Sequence, residues 1–322
     1  MRHKGLVIYK EELSNYWIER LRDSGLNLLG IHPVGGLTQG AAVEEAIEWI
    51  QRPETEKLLD KVKSIGMDVE YEMHALSWLL PRELFNTHPE WFRMNESGER
   101  TPDYNFCPSN KDALQYLTER AAVLAKAFKP TTGRYHFWSD DTPQSKCHCS
   151  KCQHMTPSDA SLTICNAITE GVRSVDSNAA HSYLAYMDTL EAPEHVKPAE
   201  GVFLEFAPMW RNLTRPLNDP ESATNRALIT PIEKLLQVFG TKNAQALDYW
   251  GDNTWFSDWK LPMRRFRFWP EIVALDSIWY EKQGFETVTS FCCYLGEEYY
   301  KMHGEHFDVH AYSQALGKLK DK

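Results

Sequence analysis

Eight short strand-like runs, longer helical patterns between them, and glycines that stop those helices just before the next run predict an α/β fold. The expected architecture is a single (β/α)8 TIM barrel with long loops at its C-terminal face. The predicted strands are 6–9, 27–32, 68–74, 134–140, 182–187, 202–207, 245–250 and 287–294. Helices are predicted over 16–23, 42–65, 111–128, 158–175, 225–239 and 263–283, and Gly25, Gly66, Gly240 and Gly284 stand where several of them should end. The 322 residues exceed the ~250 typical of such a barrel, which leaves room for loops, so one domain over 1–322 is expected. Neither GxGxxG nor GxxxxGK occurs, and this disfavours the open, nucleotide-binding sheet. The longest irregular stretch, Trp78 to Asn110, is of a length that usually serves function.

Composition narrows the partners. Hydrophobic residues make up 42% and charged residues 25%, as in ordinary soluble domains. With 45 acidic against 35 basic side chains the net charge is -10, which repels nucleic acid. No apolar run is long enough to span a membrane. The first ten residues carry charges and lack the apolar core of a leader, so the reading is cytoplasmic, with export through a removed leader as the alternative. Aromatic residues reach 12%, including 11 Trp, and about half are assigned to the core. The rest suit stacking on the apolar face of a sugar ring. The expected partner is an oligosaccharide or glycoside, and self-association as a homodimer is compatible with the sequence.

Barrel enzymes build their sites at the C-terminal ends of strands. Here those ends supply His32, then His74, then His136, Trp138, Asp140 and Asp141, then Tyr186, Glu205, Trp210 and Arg211, and finally Asp248, Tyr249 and Trp250. Glycoside hydrolysis needs one carboxylic acid to protonate the leaving oxygen and a second carboxylate as nucleophile or base. Asp141 is the first choice for the acid, with Asp140 beside it. Asp248, ranked slightly above Glu205, is the expected second carboxylate, although a one-residue shift in strand boundary reverses which side chain points inward. His32, His74, His136, Trp138, Tyr186, Trp210, Tyr249 and Trp250 are the candidate substrate contacts. Arg211, or Arg215, is the fork expected for an acidic sugar.

Just after Asp141 comes Cys147-His148-Cys149-Ser150-Lys151-Cys152. Three thiolates at that spacing, with Cys107 or His154 as a fourth ligand, can wrap one structural zinc. Disulfides or free thiols are the other readings, and seven cysteines make a complete disulfide framework unexpected. No cofactor is expected in catalysis.

His88-Pro89-Glu90-Trp91-Phe92, Phe106-Cys107-Pro108-Ser109-Asn110, and Ser139-Asp140-Asp141 followed by the C-x-C-x-x-C run resemble bacterial barrels of the domain of unknown function 4838 family. The resemblance runs from about His88 to Gly296 and implies a sugar-active barrel, similar in outline to hexosaminidase and alpha-glucuronidase barrels. The fourth strand ends in Asp-Asp, where the hexosaminidase pattern has Asp-Glu. The functional expectation is therefore a glycoside hydrolase acting on a bacterial, plant or host glycan. Two alternatives stand beside it: a non-catalytic carbohydrate-binding barrel, and a metal-dependent hydrolase or isomerase built on His32, His74 and His136.

Overall fold

Asp68-Val-Glu-Tyr-Glu-Met-His74 alternates polar and apolar residues, and a strand sends alternate side chains to opposite faces. In a barrel one of those faces is the interior. The computed structural model describes residues 1–34 and 39–317, and it closes eight strands into a ring: β1 His3–Tyr9, β2 Leu28–His32, β3 Asp68–His74, β4 Arg134–Trp138, β5 Ala180–Ala185, β6 Val202–Phe206, β7 Gln245–Asp248 and β8 Thr287–Ser290. Every neighbouring pair is parallel, and β1 also pairs with β8. The predicted (β/α)8 barrel is thus present.

The strands are shorter at their C-terminal ends than the sequence suggests for β4, β7 and β8, because the chain there leaves the ladder for the site loops. The helical span 42–65 is two helices, Gln39–Ile50 and Pro53–Ser64, with Pro53 opening the second. Thr230-Pro231 divides 225–239 in the same way. The last predicted helix starts only at Pro270 and ends at Gly284, whose φ of 96° is the left-handed conformation of a helix stop. The 78–110 stretch is coil interrupted by short helical turns at Arg82–Asn86 and Pro89–Trp91. Among the described residues no helix is long and apolar enough to cross a membrane.

The inward face of the barrel is polar. His136 on β4 lies between Glu205 of β6 and Glu70 of β3, donating from Nδ1 at 2.9 Å and from Nε2 at 3.1 Å. Burial opposes a charge on the ring, but the two carboxylates override it and carry the imidazole up to about 10. Glu70 is likewise penalised by burial and yet drawn down to about 2 by Arg134 and His136. Arg134 donates to Thr287 at 2.8 Å and to Gln245, and Gln245 donates to Glu205 at 3.0 Å. The charges are buried together and paired with one another, as a low-dielectric interior demands, although Arg134 Nε has no hydrogen-bond partner.

Glu72 is the exception. Both its carboxylate oxygens are buried without a hydrogen-bond partner, and burial pushes the group up to about 8. Gly30 makes room for it, since a Cβ there would lie 2.7 Å from Glu72 Oε1 and 2.9 Å from Val7 Cγ2.

On the outward face, β7 is fastened to the helix Pro270–Gln283 by a second buried charge group. Arg211 contacts Asp248 and Asp276, both at 2.7 Å, while Tyr280 donates to Asp248 at 2.7 Å and Trp250 to Asp276 at 2.9 Å. Arg211→Ala would strand two carboxylates in the interior and should cost about 3–5 kcal/mol, measured by denaturant unfolding. A loss below about 1 kcal/mol, the range of an exposed pair, would contradict this. For Glu72, the folded chain keeps a proton that the unfolded chain releases, so its contribution to stability falls as pH rises from about 4.5 to about 8. Glu72→Gln should therefore raise Tm more at pH above 8 than at pH below 5, and a pH-independent change would refute the assignment.

Candidate functional site

Above the charged layer the inward side chains turn aromatic. Tyr9, His32, His74, Trp138, Leu184, Leu247, Tyr249 and Phe291 stand at or just past the ends of their strands and, with loop residues, line a cavity of ≈ 410 Å³ at the C-terminal mouth. That volume lies in the ~300–1,000 Å³ range of small-molecule sites. Trp138 is the floor between the two layers. Its Nε1 donates down to Glu205 at 2.8 Å and to Ser182 at 3.1 Å, which fixes the ring that faces the cavity.

Two carboxylates reach this cavity. Asp141, at the start of the loop after β4, accepts a hydrogen bond from Tyr186 at 2.9 Å, and its side chain is 32% exposed. His74 Nε2 lies 4.0 Å from it, oriented by Nδ1 donating to the Ser139 carbonyl at 2.7 Å. Asp252, in the loop after β7, is buried, and its Oδ1 caps the short helix Asn253–Phe256 by accepting from the Thr254 amide at 3.0 Å. Burial pushes Asp252 up to about 6 in spite of those bonds. His32 is held neutral, lowered to about 4 by burial and by His74, and its Nδ1 donates to the Glu72 carbonyl at 2.6 Å.

Of the residues expected at the site, Asp141, His32, His74, Trp138, Tyr186 and Tyr249 come together here. The others lie elsewhere, for definite reasons. Asp248, Arg211 and Trp250 belong to the outward charge group, because the inward positions on β7 are Gln245 and Leu247, with Tyr249 following. Arg211, expected to grip an acidic sugar, is fully engaged by Asp248 and Asp276, and Arg215 pairs with Asp219 instead. Glu205 and His136 point inward but one layer too deep, beneath Trp138. Asp140 is turned away from Asp141 and clamps the loop after β3, pairing with Arg82 and accepting from the Asn105 amide at 2.6 Å. Trp210 stands 51% exposed on the rim.

Asp252, Thr254, Trp259 and Tyr294 line the cavity without having been singled out from sequence. A faint signal existed in Asp252-Asn253-Thr254, an N-cap pattern two residues beyond the predicted end of the seventh strand. Tyr294 is placed by Glu12, which accepts from the Tyr294 amide and the Gly296 amide, each at 3.0 Å.

Beside the mouth, Cys107 Sγ lies 3.7 Å from both Cys149 Sγ and Cys152 Sγ, and with Cys147 all four sulfurs fall within 4.8 Å of one another. No cysteine is disulfide-bonded. The edge of a tetrahedron with a centre-to-sulfur distance of ~2.3 Å is ~3.8 Å, so the cluster has the dimensions of a tetrathiolate zinc site. The Met94 amide donates to Cys147 Sγ at 3.3 Å, and Arg100 lies 3.9 Å from the same sulfur, as suits thiolates. His154 is not part of the cluster.

No curated protein matches the sequence. Among solved structures, the fold is similar to the cellulose synthase subunit Z of Clostridioides difficile, with TM-score 0.50, 11% identity, and coverage of 99% of this chain and 100% of that one. The O-GlcNAc hydrolase of Thermobaculum terrenum gives 0.53 at 11%, covering 99% of this chain and 60% of that one. A catalytic module of the pneumococcal exo-beta-D-N-acetylglucosaminidase gives 0.52 at 10%, covering 98% and 84%. At such identities the likeness establishes the fold, a barrel of the kind found in glycosidases. The family model described as domain of unknown function DUF4838 matches residues 42–251, about two thirds of the sequence and the part that carries Asp141, the cysteine cluster and β3 to β7, and the chain belongs to that family.

Proposed function

We propose that the protein is a glycoside hydrolase whose two working carboxylates are Asp141 and Asp252. The observation that carries this reading is their presence, in different environments, on one aromatic-lined cavity at the C-terminal mouth of the barrel. A general acid must keep its proton near neutral pH, and the buried Asp252, raised to about 6, meets that requirement. Asp141, more exposed and addressed by Tyr186 and His74, takes the place of nucleophile or base. This reverses the role first expected of Asp141. It also replaces Asp248 and Glu205 as the second carboxylate.

The substrate class follows from charge. Among the described residues lining the cavity none is Lys or Arg, while two are aspartates. An acidic sugar would bring a second negative charge beside Asp141, to a lining with no Lys or Arg to meet it. A neutral glycan, whose ring faces stack on Trp138, Tyr249 and Phe291 and whose hydroxyls meet His32, His74 and Tyr9, fits instead. Catalysis calls on no cofactor. The four cysteines hold a structural zinc in this reading, tying the loop after β3 to the loop that presents Asp141.

Asp141→Asn and Asp252→Asn should each lower kcat on an unactivated neutral glycoside by roughly 10²–10⁴. On a nitrophenyl glycoside, which needs little protonation of its leaving group, the Asp252→Asn loss should shrink while the Asp141→Asn loss persists. Because the acid works protonated, kcat should decline as pH rises through about 6. Full activity in both variants would overturn the mechanism, and the opposite leaving-group pattern would exchange the roles. For the metal, elemental analysis should find about one zinc per chain, cobalt substitution should give a thiolate-to-metal spectrum, and Cys149→Ser should weaken both. Metal-free protein with disulfides mapped among Cys107, Cys147, Cys149 and Cys152 would exclude the site.

A further inference from the structure

Three tryptophans gather where the loops after β6 and β7 meet. Trp210 and Trp259 are 51% and 50% exposed, unusual for the largest apolar side chain. Trp255 is half-buried between Trp210 and Tyr249. The rings stand edge-to-face, with Trp210 to Trp255 at 5.3 Å and 85°, and Trp210 to Trp259 at 5.8 Å and 67°. About half of the Trp210 and Trp259 surface stays open to solvent in this arrangement.

The backbone is strained to achieve it. Trp210 has φ 65° and Trp259 φ 53°, and Asp258 before it has φ 52°. The left-handed region is costly for bulky side chains and persists only where the surroundings enforce it. At Trp259 the enforcement is visible: Trp259 N donates to the Thr254 carbonyl at 2.8 Å, Arg264 N to Ser257 Oγ at 2.9 Å, and Asp252 caps the helix Asn253–Phe256 just before them. Strain held in order to expose two indoles to water serves neither core packing nor solubility.

The cluster is continuous with the cavity. Trp259 lines it, and Trp255 packs edge-on to Tyr249 at 5.9 Å. Tyr249 stacks on Phe291 at 5.6 Å, and Phe291 meets His32 at 5.3 Å. A track of rings therefore runs from the outer rim to the floor beside Trp138.

We infer that Trp210 and Trp259 form a stacking subsite at the rim of the cavity for the next sugar rings of a neutral glycan chain, so that the protein takes oligosaccharides or polysaccharide ends rather than single glycosides. The inference rests on the carbohydrate reading of the cavity and extends it from one sugar to a chain. Indole faces suit this occupant, because a pyranose offers an apolar C–H face at every unit along the chain, and a row of rings accepts successive units without reading their hydroxyls. Affinity then grows with chain length.

The test measures binding, so it does not depend on turnover. Tryptophan fluorescence and calorimetry are recorded on Asp141→Asn protein against a ladder of cello-, chito- and xylo-oligosaccharides from monosaccharide to hexasaccharide. Affinity should rise with length in at least one series, with a shift in indole emission. Trp210→Ala and Trp259→Ala should each weaken the longest member about 10-fold, equivalent to ~1.4 kcal/mol, and flatten the length dependence. Leu275→Ala, equally exposed on the helix Pro270–Gln283, should leave the length dependence in place. Binding that ignores length, binding unaffected by either tryptophan variant, or no binding to any member overturns the inference. So does a change from dimer to monomer in Trp210→Ala by sedimentation, which would give the shelf to a second copy of the chain. Length-dependent, tryptophan-dependent binding of a series that the unsubstituted protein does not hydrolyse would keep the shelf and refute the hydrolase. Carboxylate-dependent hydrolysis with no tryptophan effect would do the reverse.

Discussion

The barrel depends on a cation placed at its centre. His136 carries its charge only because Glu70 and Glu205 flank it, and those carboxylates can be buried only because His136 and Arg134 are there. Removing any one member leaves an uncompensated charge in a low-dielectric interior, a loss of several kcal/mol. Most barrels of this class fill that space with branched apolar side chains. The polar filling here has a directional consequence that an apolar one lacks, because hydrogen bonds fix orientation as well as position. Trp138 is held by two of them from below, so the cavity floor is set by the core and not by the loops.

That layering explains what the sequence could and could not disclose. The strand count and order and the helices between them were legible, because each rests on local periodicity and on glycine or proline punctuation, and the aromatic-lined cavity lies at the strand ends to which the sequence pointed. The side-chain facing on β7 was not. Asp248 and Leu247 are adjacent, and a half-turn of the strand decides which of them enters the barrel. The pairing Asp248 with Ser290 and Leu247 with Thr289 fixes it, and no local pattern encodes that register. Depth was equally hidden. Glu205 has the correct facing but sits on a strand that ends one layer lower, and only the ring of neighbours shows it. Arg211 looked like a ligand for a carboxylate and is one, but the carboxylates are the protein's own.

Asp140 and Asp141 illustrate how adjacent identical residues diverge. A turn between them sends Asp140 back toward Arg82 and Asn105 in the preceding loop, and leaves Asp141 at the mouth. The cysteine cluster joins the same two loops a few residues further out, with Cys107 from one and Cys147, Cys149 and Cys152 from the other. The long segment from Trp78 to Asn110 is thus fastened at two points to the loop that carries Asp141. One fastening is ionic and the other is a thiolate cage suited to zinc. The C-x-C-x-x-C spacing was readable because its three cysteines stand close together in sequence; the Arg82 clamp, drawn from a site nearly sixty residues away, was not.

The histidines argue against the metal-dependent alternative on geometric grounds. Glu70, Glu72 and His136 offer ligand atoms within 4.8 Å of one another, so the interior superficially resembles a cation site. Both nitrogens of His136 are, however, already engaged by carboxylates, Nδ1 by Glu205 at 2.9 Å and Nε2 by Glu70 at 3.1 Å. His32 and His74 each direct Nδ1 to a backbone carbonyl, and their ring centroids stand 6.2 Å apart and nearly perpendicular. Among the described residues, His32, His74 and His136 do not gather their ring nitrogens within 4.8 Å of one another. What they do instead is graded with depth: a charged imidazolium in the core, a neutral His32 at the floor, and His74 beside Asp141 at the mouth. A cavity built in that order is lined by aromatic faces, neutral hydrogen-bonding groups and two aspartates, the features on which the proposed hydrolysis of an uncharged glycoside rests.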